Sequence, residues 1–183
     1  DNFKTSLSYP NAPNLGETSL KSNELLPSIS GIYRYGDDWQ FRTGYARTVS
    51  RPSITELAPS RFFDDRGREF RGCSVESGGR YIPCDPSLID NYDVRVEYYL
   101  NRQDSISLAL FYKDIDKPLE RGYAEGGASD NPIFTFRNSE SAKVSGVELD
   151  GQLSWLLNQD HNITVGANIS YIESEIKLDA QGA

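Results

Sequence analysis

The residues able to do chemistry are concentrated in one stretch. Between Arg51 and Leu88 the sequence carries Arg61, Arg66, Arg68, Arg71, Arg80 and Tyr81, with Asp64, Asp65 and Asp85 among them. Guanidinium forks bind carboxylates or phosphates, and aromatic rings stack on sugars. Those five arginines and Tyr81 are therefore the candidate ligand contacts, and a solvated loop packed on other loops is the plain alternative for each. Cys73 and Cys84 lie in the same stretch, in RGCSVESGGRYIPCDP, whose Gly, Ser, Arg and Pro content suits a loop. A disulfide between them would stabilise by about 3 kcal/mol on the chain-entropy model. It would imply an oxidising compartment such as the periplasm or cell surface; two free thiols are the alternative. His161 is the one histidine, and it is distant in sequence from both cysteines, so no zinc set is expected. Asp64 with Asp65, and Asp114 with Asp116, lack the spacing and closing Glu of a calcium loop. Gly126 with Gly127 reads as a loop tip, and the sequon at Asn162 falls inside an expected strand. No catalytic constellation stands out, so neither an enzyme nor a bound cofactor is expected.

The elements that must position these residues are strands. In NYDVRVEYYL, Tyr92, Val94, Val96, Tyr98 and Leu100 alternate with Asp93, Arg95, Glu97 and Tyr99. The same period of two places Ile106, Leu108, Leu110 and Tyr112 opposite Ser105, Ser107, Ala109, Phe111 and Lys113. It recurs with Val147, Leu149, Leu153 and Trp155, with Ile163, Val165, Ile169 and Tyr171, and with Trp39, Phe41 and Tyr45. Only SITELAP, after Pro52, suits a single helical turn. Seven strands are expected, near 2–9, 23–35, 38–50, 89–101, 104–117, 141–156 and 160–173. Their connections alternate: long, tight at Gly36 and Asp37, very long from Arg51 to Leu88, tight at Arg102 and Gln103, long from Pro118 to Glu140, then short. Antiparallel strands joined this way put the tight turns at one end and the long loops at the other.

Composition agrees with this asymmetry. The chain has 183 residues and a net charge of −8, and 37 % of it is hydrophobic. Its mean hydropathy is −0.57. No stretch reaches the ~20 apolar residues of a membrane helix, and the acidic balance disfavours nucleic acid as a partner. Short turns at one end and long loops at the other are the pattern of outer-membrane β-barrels. Apolar faces would then meet outer-membrane lipid and polar faces the lumen. Trp39, Tyr98, Tyr99, Phe111, Tyr112, Trp155 and Tyr171 would supply interfacial girdles, and lumen-facing Arg42, Arg95, Glu97, Glu148 and Asp150 would form interstrand ion pairs or contact a plug. A soluble β-sandwich alternates too, but its loops are mixed at both ends and its strands run to only ~5–6 residues.

Four blocks resemble TonB-dependent outer-membrane receptors. They are Arg47 to Pro52 in RTVSRP, Asn91 to Tyr99 in NYDVRVEYY, Phe111 to Glu120 in FYKDIDKPLE, and Asn138 to Glu148 in NSESAKVSGVE. Their order and spacing cover most of residues 23–173. The resemblance implies a barrel of about 22 strands with a plug domain inside. It also implies import of a scarce nutrient, such as siderophore-bound iron or an oligosaccharide, driven through TonB. No TonB box, plug-like segment or closing aromatic is read in the sequence. With the absence of Met and the start at Asp1, this suggests a processed or excised piece.

The expected fold class is all-β, an antiparallel up-and-down meander forming a section of a transmembrane β-barrel. Residues 1–183 are expected to be a partial receptor barrel from its C-terminal half, in the outer membrane of a Gram-negative bacterium. Expected partners are lipid, the plug domain and the rest of the barrel, TonB through the full-length protein, and a small nutrient ligand. A secreted β-sandwich module binding carbohydrate or protein is the alternative, and a structural surface protein without transport a third.

Overall fold

A computed structural model describes residues 2–7, 18–57, 61–73, 84–101, 103–123, 132–158 and 161–178, with the backbone alone for 2–7, 18–21, 61 and 62. Its elements are β1 (Asn2–Leu7), β2 (Thr18–Asn23), β3 (Ser28–Tyr35), β4 (Trp39–Ser50), α1 (Ile54–Leu57), β5 (Arg61–Phe63), β6 (Glu69–Arg71), β7 (Ser87–Tyr99), β8 (Ser105–Asp116), β9 (Leu119–Tyr123), β10 (Phe134–Asn138), β11 (Ser141–Asn158) and β12 (His161–Lys177). Six of them form one sheet in the order β12-β11-β8-β7-β4-β3. Every pair in it is antiparallel, and its strands follow one another in chain order within the sheet, so it is an up-and-down meander. β3 and β12 are its two edges.

The expected asymmetry is present. Tight connections join β3 to β4 and β7 to β8, where Gly36 takes φ +63° and Asn101 Oδ1 accepts from the Gln103 and Asp104 amides. The long connections lie at the opposite end and carry structure of their own. Ser53 and Glu56 exchange backbone and side-chain hydrogen bonds in a capping box that starts α1. β5, β6, β10 and β9 form a second sheet, in that order, built from the two long loops. β9 and β10 extend the β8–β11 hairpin, since the pairing Asp116↔Ser141 resumes in register as Leu119↔Asn138. The expected strand over 23–35 begins only at Ser28. Residues 18–23, of which 18–20 fall in the expected loop and Asn23 in that expected strand, pair instead with β1. Those six residues offer no apolar alternation, because Leu20 is their one hydrophobic side chain.

Burial is inverted relative to a soluble domain. On the six-stranded sheet, Trp39, Phe41, Tyr92, Val94, Leu108, Leu110, Val147, Leu149, Val165 and Ile169 are all exposed, while Gln40, Glu97 and Ser107 on the other face are buried. The most buried apolar side chains sit mainly in the loop region: Leu57, Phe70, Cys73, Cys84 and Ile133. A sandwich would cover the apolar face with a second layer. An apolar solvent outside the wall serves the same purpose. A 12-residue strand such as β4 reaches ~40 Å, or about 28 Å of height at a 45° tilt.

The apolar band has a sharp upper limit. Tyr45, Tyr92 and Tyr112 are successive cross-strand partners with ring centroids 5.1 and 6.1 Å apart. One step further, Arg47, Asp90, Asp114, Lys143 and Glu175 make a single cross-strand row of charges. Arg47 donates twice to Asp90, and the Tyr45 hydroxyl donates to the same carboxylate at 2.7 Å. Two residues expected in the girdles are not in them. Tyr99 and Phe111 point to the polar face, where the Tyr99 hydroxyl donates to Glu97 and Phe111 lies over Gly146. Their parity in the strands, one step from Tyr98 and Tyr112, sends them there.

A Cβ at Gly146 would meet the Phe111 ring and approach the Tyr171 carbonyl oxygen to 2.9 Å. That oxygen belongs to the paired backbone of β12 and has little room to shift. Gly146→Val in the full barrel is expected to cost about 1–3 kcal/mol through overpacking. The check is the urea midpoint of the refolded barrel; an unchanged midpoint would mean that the ring and backbone accommodate the side chain.

Candidate ligand-binding site

The site grows from the turn between β5 and β6. Asp64 organises it: Oδ1 accepts the Arg66 and Arg68 amides at 3.0 and 2.8 Å, and Oδ2 accepts from the Arg68 guanidinium at 2.6 and 2.7 Å. Gly67, at φ +75°, closes the turn. Partial burial alone would raise the Asp64 pKa. The two amides and the guanidinium outweigh it and hold the carboxyl below its usual value. Asp64 is thus engaged in the turn, and among the described residues no group of three or more His, Cys, Asp or Glu side chains is placed to hold a metal ion.

The turn delivers β6, whose Phe70 is the centre of an aromatic cluster. Phe70 and Phe134 stack with centroids 5.1 Å apart, Phe136 lies 6.5 Å from Phe70, and Tyr123 lies 5.3 Å from Phe134. Two guanidinium groups cap the stacked pair. Arg68 sits 5.8 and 5.6 Å from the Phe70 and Phe134 centroids, and Arg121 sits 5.8 and 5.2 Å from them. The two differ in charge balance. Arg68 is neutralised by Asp64, whereas among the described residues no carboxylate lies within ion-pair distance of Arg121. Cation–π attraction orients Arg121 without cancelling its charge.

The cluster is assembled across the two long loops. β6 pairs with β10 at Phe70↔Phe134, the one parallel contact in that sheet. The buried Thr135 hydroxyl donates to the Gly72 carbonyl at 3.1 Å. Cys73 and Cys84 form the disulfide, with an S–S distance of 2.05 Å and Cα atoms 5.5 Å apart. The Cys73 amide donates to the Glu56 carbonyl at the end of α1, and Cys84 Sγ approaches the Phe136 carbonyl at 3.7 Å.

Of the expected contacts, Arg68 belongs to this cluster. Arg71 pairs with Glu69 at 3.2 Å, and Arg66 is exposed at the turn. The Arg61 side chain, Arg80 and Tyr81 lie outside the described residues, as do Gly126 and Gly127. Sequence reasoning missed Phe70, Arg121, Tyr123, Phe134 and Phe136. The period of two in PIFTFR and LERGY is the signal that could have found them. On the polar wall, Glu97 accepts from Arg42 at 3.1 Å, Arg95 at 3.0 Å, Tyr99 at 3.0 Å and Gln40; the Arg42–Glu97 pair is interstrand as expected, whereas Arg95 pairs with Glu97 within its own strand.

Comparison with known proteins follows the same lines. A family model described as TonB dependent receptor-like, beta-barrel, matches residues 1–182. The ferrienterobactin receptor of Escherichia coli K12 is 24 % identical over 159 residues, covering 80 % of this chain and 20 % of that protein. The siderophore receptor PirA of Pseudomonas aeruginosa superposes with a TM-score of 0.60 at 18 % identity, over 90 % of this chain and 29 % of that one. A variant of the ferric enterobactin receptor PfeA from the same organism, in complex with enterobactin, gives 0.54 at 20 % identity, over 88 % and 23 %. The chain therefore spans between a fifth and a third of the length of these relatives.

The depressed Asp64 pKa sets a pH dependence for the β5–β6 turn. A lowered folded-state value contributes order that is complete above the ordinary carboxylate pKa of about 3.9 and is lost as pH falls through the folded value. Amide protection at Arg66 and Arg68 in the full-length protein is expected to hold at neutral pH and to fall in strong acid. Asp64→Asn should remove that acid step, and persistence of the step in this variant would assign it to another group.

Proposed function

The chain belongs to the TonB-dependent receptor β-barrel family, and from that premise we propose that it forms wall and outward loops of a receptor for a ferric siderophore. The receptor would sit in the outer membrane of a Gram-negative bacterium and import its ligand by TonB-coupled active transport. Residues 1–183 would be a partial barrel domain, completed in the full-length protein by further strands and a plug. TonB and outer-membrane lipid are the other partners. The chain has no enzymatic part in this reading, because family members move ligands rather than transform them.

The observation that carries the ligand class is Arg121. An exposed guanidinium held on two stacked rings, with no described carboxylate against it, suits an anionic ligand with aromatic character. Names of relatives support the same class, since they include ferrienterobactin and ferric enterobactin receptors. A neutral oligosaccharide would use the aromatic surface and leave the charge unanswered. Arg61, Arg66, Arg71, Arg80 and Tyr81 remain candidate contacts. In mechanism, the uncancelled charge of Arg121 would attract the anion at short range. Cation–π and charge-assisted contacts would then hold it until plug movement opened the lumen. The exposed apolar face of the sheet disfavours the soluble sandwich.

Deleting the parent gene is expected to abolish uptake of a ferric catecholate such as ferric enterobactin while sparing oligosaccharide uptake. In the intact receptor, Arg121→Ala is expected to weaken ferric enterobactin binding by roughly tenfold or more, the loss of one charge-assisted contact. Uptake lost for an oligosaccharide alone would overturn the siderophore reading.

A further inference from the structure

The β8–β11 hairpin runs out of the wall into the loop sheet through a waist at residues 117–118 and 139–140. These four residues lie outside the regular strands, and the waist carries the one described non-glycine residue with positive φ, Lys117 at +52°. Such a conformation is unfavourable for a residue with a side chain and persists where its surroundings fix it.

What fixes it is a knot of three chain segments. Asn138 Oδ1 accepts the Asp85 amide at 2.7 Å, while Asn138 Nδ2 donates to the Asp85 carbonyl at 3.0 Å and the Lys117 carbonyl at 2.7 Å. One side chain thus pairs with both backbone groups of Asp85, as a strand neighbour would. The Ser87 hydroxyl donates to the same Lys117 carbonyl at 2.8 Å. Lys117 Nζ reaches Asp85 Oδ2 at 2.7 Å, and this carboxylate raises the lysine pKa. Asp85 closes the first long loop, and residues 117 and 138 bound the second, so Asn138 joins both loops to the top of the wall at one point.

Above the knot the loops are bound to each other by separate contacts: the Phe70↔Phe134 pairing, the Thr135–Gly72 hydrogen bond and the Phe70–Phe134 stack. We propose that the loop sheet β5-β6-β10-β9 moves as a single body, and that Asn138 is the positioning residue that sets its attitude on the wall. Asn138 touches none of the Arg68, Arg121, Phe70 and Phe134 side chains in the contacts described above. It would act on ligand capture through their placement over the mouth. The single-body claim stands apart from the siderophore reading; only its consequence for capture rests on it.

The test uses the full-length receptor, free of ligand, with nitroxide labels at Asp65 in the first loop, Glu120 in the second and Asp37 in the β3–β4 turn. Pulsed dipolar spectroscopy reads the three distances. In the native sequence all three distributions are expected to be narrow. Asn138→Ala is expected to broaden and shift Asp37–Asp65 and Asp37–Glu120 together, leaving Asp65–Glu120 narrow. Thr135→Val is expected to broaden Asp65–Glu120, the distance that Asn138→Ala leaves narrow. Heat-modified gel mobility verifies that each barrel is folded. Should Asn138→Ala fail to fold, Ser87→Ala, which removes one bond of the knot, is expected to shift both wall distances to a smaller extent. Unchanged wall distances in the folded variants, or loss of the Asp65–Glu120 distance in Asn138→Ala, would overturn the proposal. Because no ligand is present, the result is independent of whether ferric enterobactin binds. In a separate arm, ferric enterobactin should bind Asn138→Ala with a raised Kd and unchanged stoichiometry. An unchanged Kd, despite altered wall distances, would overturn the positioning role.

Discussion

Lateral backbone pairing is the constraint on which the rest of this chain depends. A strand surrounded by hydrocarbon has no water to satisfy its amides and carbonyls, so its neighbours must do so along its whole length. The long registers of β4, β7, β8 and β11, each with a partner on both sides, meet that demand. Once the backbone is satisfied sideways, the two faces are free to diverge. One becomes a field of exposed Leu, Val, Ile and aromatic side chains. The other becomes a polar surface in which Gln40 and Glu97 are buried and satisfied by hydrogen bonds to each other and to neighbouring side chains.

The same constraint explains why the charged row above the tyrosines has its composition. Arg47, Asp90, Asp114, Lys143 and Glu175 share a face with the apolar band, and an unpaired charge there would be costly in hydrocarbon. Alternation of sign across most of the row, with the bidentate Arg47–Asp90 pair at its start, lets it lie at a boundary. Tyr45 bridges the two regimes, with its ring against Tyr92 and its hydroxyl on Asp90. The row therefore marks where the exposed apolar face ends and the loop region begins.

Legibility in the sequence followed the same divide. The wall was readable because a period of two persists over ten or more residues in β7, β8, β11 and β12, and the unequal loop lengths fixed which ends belong together. The loop sheet was not. β5 and β6 have three residues each, and the hydrogen bond tying Thr135 to Gly72 spans 63 positions. No local pattern encodes a pairing between segments so distant. The density of arginine in the first loop drew attention to residues of which Arg68 and Arg71 are engaged by neighbouring acids. Arg121, in a stretch with fewer charges, keeps its charge available. The Asn138 block was recognisable as a resemblance, and its physical content, a side chain that pairs with both backbone groups of Asp85, emerged only with the fold.

Holding a cation on aromatic rings has a consequence that a salt bridge lacks. A carboxylate orients a guanidinium and cancels its field, as Asp64 does for Arg68. The quadrupole of a ring orients it at comparable distance while leaving the positive potential intact. Ordering Arg121 in advance reduces the side-chain entropy lost when an anion arrives. Such a group attracts from a distance and holds on contact, provided that the rings beneath it are themselves fixed. The disulfide, the parallel β6–β10 contact and the Asn138 knot supply that rigidity, so the chemistry of one exposed arginine depends on how firmly two distant loops are tied to the wall.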